Sequence, residues 1–253
     1  MITLSEERGV RFLHFGTEWI QGAMRLARPW SLELAYTRQM MAWLLFLDGE
    51  APGFRIGQLG LGAASLTRCC WRYLLESEIT VVEIDPEVVS VAESMFKLPD
   101  DRRIPVAVVD AADYLTRPKV CEQFDVLQVD LYDQDARGPV HGDARFYGRA
   151  RAALAPTGVL VVNLFGEHGS FAPNLRALHD AFGPRVVALP EIDAGNRIAL
   201  AFKGPAIELA YADLYARAAD VEQRFGLAAR RWVDGLRRGM EEGGHGKGPV
   251  LRL

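Results

Sequence analysis

Two aspartates, Asp130 and Asp133, stand in one short segment directly after an apolar run that predicts a strand. Open α/β sheets keep their chemistry where strands end, so this segment is a candidate reaction site. An alkyl ammonium group has a pKa near about 10.4 and arrives protonated, so it is not nucleophilic. A carboxylate that binds the cation and then accepts its proton removes both obstacles. In the alternative interpretation, Asp130 caps the following turn and Asp133 is only solvated.

A glycine-rich turn, Gly60-Leu61-Gly62, lies between a predicted strand and a predicted helix. Gly60 permits a sharp turn, and Gly62 lets the backbone approach a ligand without an intervening Cβ. About twenty residues later, the next strand ends in Glu83, where a carboxylate can accept hydrogen bonds from both hydroxyls of a ribose. The nearby Asp85-Pro86 pair instead suits the N-cap and first position of a helix. The pattern predicts a nucleotide site.

Asp110-Ala111 ends the third predicted strand. An acidic side chain there can receive the amino group of adenine, as in sites for S-adenosylmethionine. A dinucleotide enzyme would hold pyrophosphate at a helix N-terminus, and the residues leave that possibility open. The additional acceptor at Asp110 favours an adenosyl sulfonium ligand.

Short apolar strands that alternate with helices must position these side chains. The predicted strands are 55–59, 78–83, 106–109, 124–130, 159–164, 185–188 and 197–202, and the predicted helices are 29–47, 65–75, 86–95, 111–115, 147–154, 172–182 and 206–240. This alternation predicts a Rossmann-like, doubly wound, mostly parallel sheet of the class I S-adenosylmethionine-dependent type. We expect a short N-terminal β-hairpin region at 1–28, a catalytic domain at 29–205, and a C-terminal helical extension with a flexible tail at 206–253.

Composition narrows the class of protein further. The 253 residues carry a net charge of −4, which gives no basic surface for nucleic acid and weakly favours a cationic substrate. The three cysteines and five histidines show no disulfide or metal-site spacing, so we expect no metal and a reducing compartment. No membrane span is predicted, because no apolar stretch reaches roughly 18 residues, and no secretory signal is predicted, because the N-terminus lacks a basic region followed by an apolar one. We therefore expect a cytoplasmic protein.

The ordered set of motifs resembles the spermidine synthase (polyamine aminopropyltransferase) family between residues 8 and 205. The matching segments are Ile20-Gln21, Tyr36 to Met41, Gly60 and Gly62, Glu83-Ile84-Asp85, Asp110-Ala111, Asp130 to Asp133, Gly138-Pro139, Phe146-Tyr147, and Leu154 to Gly158. The resemblance implies transfer of an aminopropyl group from decarboxylated S-adenosylmethionine to a polyamine, with release of methylthioadenosine. It also implies a dimer or tetramer; we expect a homodimer.

The resemblance further implies a role for each matching residue. Glu83 would hold the ribose hydroxyls and Asp110 the adenine. Asp130 would be the general base that deprotonates the attacking amine, and Asp133 would bind the cationic end of that amine. Gln21 and Tyr36 would lie near the cofactor and the amine pocket.

Three positions depart from the family pattern. Ala63 stands where the glycine-rich turn of the family usually carries an aspartate, Gln134 replaces a proline, and Tyr36 lies one residue further from Met40 than the family spacing. Ala63 slightly favours an alternative, a methyltransferase that uses S-adenosylmethionine itself, because an aspartate there would repel the carboxylate of that cofactor. A non-catalytic protein that binds adenosyl nucleosides is a further alternative.

Overall fold

The structure is a computed structural model and describes residues 1–132, 141–166, 168–192, 195–242 and 248–253. Its N-terminal unit is a three-stranded antiparallel sheet of β1 (Thr3–Glu7), β2 (Val10–His14) and β3 (Gly22–Arg25). The pairing of β2 with β3 confirms the predicted hairpin. β1 was not predicted, because its mostly exposed polar residues lack an apolar alternation. Arg8 and Gly9, both with positive φ, form the tight turn that joins β1 to β2.

The predicted helix over 29–47 is wrong in its length. Only α1 (Ala35–Gln39) is α-helical, and a 3₁₀ turn covers Ala42–Leu45. The Nε2–H of Gln128 donates to the carbonyl of Met40 at 3.2 Å, while the N–H of Leu44 bonds to Met41. A buried side chain therefore takes the bond that would have continued the helix.

Seven strands form the central sheet. In chain order they are β4 (Arg55–Leu59), β5 (Glu78–Glu83), β6 (Val106–Val108), β7 (Phe124–Val129), β8 (Leu154–Phe165), β9 (Val186–Ala188) and β10 (Asn196–Phe202). In space the order is β6-β5-β4-β7-β8-β10-β9. The pairs from β6 to β8 are parallel, and β10 is antiparallel to both neighbours, which confirms the mostly parallel sheet. The turn predicted at 156–158 is instead an irregularity inside β8, where its register with β7 shifts.

Helices cover both faces of this sheet. The helices are α2 (Ser65–Tyr73), α3 (Pro86–Met95), α4 (Ala111–Tyr114), α5 (Ala144–Ala153), α6 (Phe171–Phe182), α7 (Tyr211–Phe225) and α8 (Ala229–Glu242). Alternate residues of β8 belong to two separate cores: Val159 and Val161 pack with α2, α3, α7 and α8, whereas Leu160 and Val162 pack with α4, α5 and α6. Within the described residues, no helix is long and apolar enough to cross a membrane.

The C-terminal segment contains strands as well as the expected helices. α7 ends at Phe225, and the next residue, Gly226, adopts a left-handed conformation, so the predicted helix over 206–240 is divided in two. β11 (Glu208–Ala210) pairs with β12 (Val250–Arg252). Leu251 and Leu253 are buried, so the last residues are packed where we expected part of a flexible tail.

The parallel sheet changes direction between β4 and β7. From β4 the chain proceeds outward through β5 and β6, and from β7 it proceeds through β8 to the opposite side. Crevices form at such a switch point beyond the carboxyl ends of the strands, and the candidate site lies there.

Candidate active site

A cavity of about 590 Å³ opens at the switch point. Its lining includes each predicted site residue that the structure describes, namely Gln21, Tyr36, Gly60, Gly62, Glu83, Asp110, Ala111 and Asp130. Asp133, Gln134 and Gly138-Pro139 lie outside the described residues. The candidate residues come from six separate parts of the chain, and the fold brings them around one space.

The glycine-rich turn, residues 60–64, is joined directly to the candidate base. The N–H of Gly60 donates to the carbonyl of Val82 at 2.8 Å, and the N–H of Asp130 donates to the carbonyl of Leu59 at 2.9 Å. Gly60 has a φ of +95°, and a Cβ added there would overlap the carbonyl oxygen of Asp130. Gly62 has a φ of +49°, but the nearest atom to its added Cβ, the carbonyl oxygen of Gln21, is 3.6 Å away.

Alanine at the two glycines should therefore have unequal effects. Gly60→Ala combines left-handed strain with a backbone overlap, and we expect it to lower the free energy of unfolding by about 3 kcal/mol or more. Gly62→Ala adds only the strain and should cost about 1–2 kcal/mol. Urea unfolding of both variants measures the difference. Equal losses would contradict the close approach of Gly60 to the Asp130 backbone.

The Glu83 carboxylate is held by three backbone amides at the end of β5. It accepts hydrogen bonds from the N–H groups of Leu61 (2.9 Å), Ile84 (2.8 Å) and Asp85 (3.0 Å). The first of these ties it to the glycine-rich turn. Asp85 accepts the N–H of Glu87 at 2.8 Å and precedes a proline, which confirms the predicted helix start.

Asp110 has structural partners in addition to its place at the cavity. Its Oδ1 accepts the N–H groups of Ala112 (2.7 Å) and Asp113 (3.2 Å), which caps α4. Its Oδ2 lies 3.1 Å from the Nε2 of His141. Burial opposes ionisation, but the hydrogen bonds from His141 and from the two amides outweigh it, so the pKa of Asp110 lies below its ordinary value.

Asp130 is enclosed by protein on the side away from the cavity. Asn163 Nδ2 donates to its Oδ1 at 2.9 Å, and the hydroxyl of Tyr36 donates to the same carboxylate. Burial raises the pKa of Asp130, and these two hydrogen bonds only partly offset that rise. Asn163 is itself oriented by Asn196, whose Nδ2 donates to its Oδ1 at 3.0 Å. A carboxylate with a raised pKa is a stronger proton acceptor than an exposed one.

The Tyr36 hydroxyl makes a separate prediction about pH. Its hydrogen bond stabilises ionised Asp130 and lowers the pKa of that carboxyl, so Tyr36→Phe should raise this pKa further. A base with a higher pKa stays protonated up to a higher pH. The acidic limb of the plot of kcat/KM against pH should therefore move to higher pH. Tyr132→Phe is the matched control, because the Tyr132 hydroxyl donates to the carbonyl of Asn163 at 3.3 Å and not to the Asp130 carboxylate. Its removal should leave the acidic limb in place. Coincident limbs for Tyr36→Phe and the unmodified protein would contradict the contact.

Ala63 is a packing residue in this fold. It is 3% exposed and clusters with Leu13, Met24 and Phe96. A Cβ added to Gly22 of β3 would lie 2.5 Å from the Cβ of Ala63, so the N-terminal sheet rests directly on the glycine-rich turn. The turn thus has an apolar contact at the position where the family usually carries an aspartate.

The cavity is strongly acidic. Its lining carboxylates are Glu83, Asp85, Glu87, Asp110 and Asp130. Among the lining residues that the structure describes there is no lysine or arginine side chain, and His141 is the one histidine. Such a field attracts cations and raises their local concentration. This charge suits both a sulfonium and an alkyl ammonium.

Two polar residues at the site were not predicted to have a role there. His141 is one of the five histidines without metal-site spacing, and Asn196 lies just before the strand predicted at 197–202. Neither belongs to a local motif that indicates chemistry. Each acquires its partner, Asp110 or Asn163, only when distant segments meet.

Known proteins resemble this chain in sequence and in fold. Residues 59–171 match the family model of the spermine/spermidine synthase domain. A polyamine aminopropyltransferase from Neisseria meningitidis is 32% identical over 238 residues, which cover 93% of this chain and 89% of the relative. A probable spermidine synthase from Corynebacterium glutamicum superposes with a TM-score of 0.72 at 20% identity, and the aligned region covers 93% of this chain and 91% of that protein's chain. Human methyltransferase-like protein 13, in complex with SAH, has a TM-score of 0.68 at 23% identity, covering 76% and 93%.

The strand order with its antiparallel β10 and the cavity at the switch point define the class of protein by its fold, which is Rossmann-like and of the methyltransferase type. Because the aminopropyltransferase match extends over nearly the whole chain, the class can be narrowed. The chain belongs to the spermidine synthase, or polyamine aminopropyltransferase, family.

Proposed function

We propose that this protein transfers an aminopropyl group from decarboxylated S-adenosylmethionine to a polyamine or another primary amine. The observation that supports this most directly is the environment of Asp130. Its carboxylate has a raised pKa, is oriented by Tyr36 and Asn163, and faces an acidic cavity beside the glycine-rich turn. A base in that position suits an acceptor amine that arrives protonated and must lose a proton before it attacks.

The residues around the cavity fit an adenosyl donor. Gly60 and Gly62 keep the turn free of side chains, so backbone can approach the ligand. We assign Glu83 to the ribose hydroxyls, because its carboxylate is preorganised by three amides at the strand end. We assign Asp110, with Ala111 beside it, to the adenine.

Asp130 then performs the proton transfer. In our proposal it accepts a proton from the ammonium group of the acceptor, which leaves a neutral amine with a free electron pair. That nitrogen attacks the propyl carbon bound to sulfur, a C–N bond forms and the C–S bond breaks. The positive charge passes from sulfur to nitrogen, and methylthioadenosine leaves as a neutral thioether. Before the proton transfer, the ionised Asp130 carboxylate weakens the repulsion between the ammonium and the sulfonium as they approach each other.

Two further residues complete the proposal for the acceptor. Gln21 lines the cavity, and its buried Nε2 has no hydrogen-bond partner in the described part of the chain. An unpaired buried amide group of this kind is costly unless a ligand satisfies it, so we place Gln21 beside the substrates. Asp133 is proposed to bind the distal ammonium of the amine.

A methyltransferase that uses S-adenosylmethionine is the second candidate. Ala63 favours this candidate, because an aspartate at that position of the glycine-rich turn would repel the carboxylate of S-adenosylmethionine, and alanine does not.

Two further properties stay predictions, namely that the protein is a homodimer and that it is cytoplasmic.

Product analysis separates these functions. The protein is incubated with putrescine or a longer diamine and with either decarboxylated S-adenosylmethionine or S-adenosylmethionine, and the products are identified by mass spectrometry. We expect methylthioadenosine and an amine heavier by one aminopropyl group, with the decarboxylated donor only. A methylated amine and S-adenosylhomocysteine would establish the second candidate. Thermal stabilisation by methylthioadenosine without any product would indicate a binding protein.

A further inference from the structure

His141 lies against Asp110 at the end of the cavity that we assign to the purine. Its Nε2 is 3.1 Å from Asp110 Oδ2, and both side chains are 30% exposed and line the cavity. The proposed transfer of the aminopropyl group does not use this imidazole.

The direction of this hydrogen bond follows from the chemistry of the two groups. An ionised carboxylate only accepts, so Nε2 carries the hydrogen and donates it. The other oxygen, Oδ1, accepts from the N–H groups of Ala112 and Asp113. The Asp110 carboxylate is thus held at both oxygens, and its plane cannot turn without breaking a bond.

The imidazole is itself held in place. It stacks on the ring of Phe146, with 5.3 Å between ring centroids and 23° between planes. Phe146 is 3% exposed, and its N–H donates to Asp143 Oδ1 at 2.7 Å at the start of α5. A rigid, buried element therefore supports His141, which in turn orients Asp110.

We infer that His141 is a positioning residue that makes this pocket selective for a purine with a 6-amino group. The inference rests on the proposed function, in which Asp110 faces the adenine. A fixed, ionised carboxylate can accept a hydrogen bond from a 6-amino group. A 6-oxo purine presents another acceptor to it, so two acceptors face each other, no hydrogen bond forms between them, and the purine oxygen is left unpaired. Sites reject analogues strongly when a buried polar group is left without a partner.

Two substitutions at this position separate orientation from packing. His141→Phe preserves a ring against Phe146 but removes the donor to Asp110. His141→Gln supplies an N–H at a similar distance from the backbone and is the conservative variant. If the role of His141 is to orient Asp110, His141→Gln should keep the preference for a 6-amino purine that His141→Phe loses.

The test is calorimetric binding of methylthioadenosine and of its 6-oxo analogue, methylthioinosine, to the full chain. We expect His141→Phe to bind methylthioadenosine about tenfold more weakly, as for loss of one hydrogen bond to a charged group, and to bind methylthioinosine within about twofold of the unmodified protein. The preference for the 6-amino compound should thus fall about tenfold, and His141→Gln should restore most of it.

Two outcomes would overturn the inference. One is an unchanged affinity of His141→Phe for methylthioadenosine; the other is an equal loss for both nucleosides, which would indicate a general packing role. Failure of the proposed function is distinguishable, because it appears in the product analysis as absence of an aminopropylated amine, whereas the preference for the 6-amino nucleoside is measured by binding alone.

Discussion

Replacement of Asp130 by asparagine is expected to lower kcat by about 10²- to 10⁴-fold, the usual contribution of a general base. Asparagine keeps an oxygen that can accept from Asn163 Nδ2, so the local geometry survives. It cannot accept a proton from the ammonium group of the acceptor amine. Steady-state formation of methylthioadenosine measures the loss.

The same variant should not be less stable than the unmodified protein at neutral pH. Burial raises the pKa of Asp130 above its value in the unfolded chain. The ionised carboxylate therefore favours unfolding: the stability contributed by this group is fully present below the unfolded pKa of about 4 and is lost as the pH rises from there through the higher pKa of the folded state. Asparagine does not ionise and has no such loss. The melting temperature of Asp130→Asn, relative to that of the unmodified protein, should therefore increase from pH 4 to pH 7.

Binding of methylthioadenosine completes the control for Asp130. Its affinity should change by less than about threefold in Asp130→Asn, since less than about 0.7 kcal/mol is expected from a group that does not contact the nucleoside. Turnover close to that of the unmodified protein would remove Asp130 from the proton transfer. A parallel loss of nucleoside affinity would instead assign it to donor binding.

Glu83→Gln should weaken binding of methylthioadenosine by roughly 30- to 150-fold, or about 2–3 kcal/mol for the charged hydrogen bonds to the ribose. The amide has one acceptor oxygen in place of two. Its NH₂ group would face one of the amides that now donate to Glu83, such as the N–H of Leu61. Both the ribose contact and the link between β5 and the glycine-rich turn are weakened. Isothermal titration calorimetry measures the affinity.

Glu87→Gln is the matched control for this change. Glu87 is an exposed carboxylate on α3 that lines the same cavity, so the substitution removes the same charge. We expect a loss below about threefold, because a solvated charge at a distance is largely screened. Equal effects of the two substitutions would show that Glu83 acts only through the general field, and unchanged affinity in Glu83→Gln would reject its ribose role.

Much of the central sheet could be predicted because its signal is local. Each parallel strand is a short apolar run, since both faces are covered by helices, as the division of β8 between two cores shows. The strand ends can be located in the same way, so Glu83, Asp110 and Asp130 could be placed at one edge without knowing how the strands pair. The glycine-rich turn and the Asp85-Pro86 helix start depend on backbone conformations that particular residue types favour.

Segments whose structure depends on distant partners could not be predicted in the same way. The apolar spacing in 29–47 favours one helix, but Gln128 on β7 takes the carbonyl of Met40. β12 contains too few residues to have a clear pattern and is defined by its pairing with β11. Such contacts form only after the sheet has assembled, and tertiary contacts can override local propensity.

The sequence by itself determined the class of fold, the edge of the sheet where the chemistry belongs, and the acidic residue types found there. Only the tertiary structure brought the Tyr36 hydroxyl and Asn163 onto Asp130, and His141 onto Asp110. The reason is physical: residue type and spacing report the preferences of single elements, whereas the pKa and orientation of a carboxylate depend on burial and on hydrogen bonds from other parts of the chain. Ala63 illustrates both sides of this division: the sequence shows that an alanine replaces the aspartate of the family, and only the folded protein shows that it contacts Gly22.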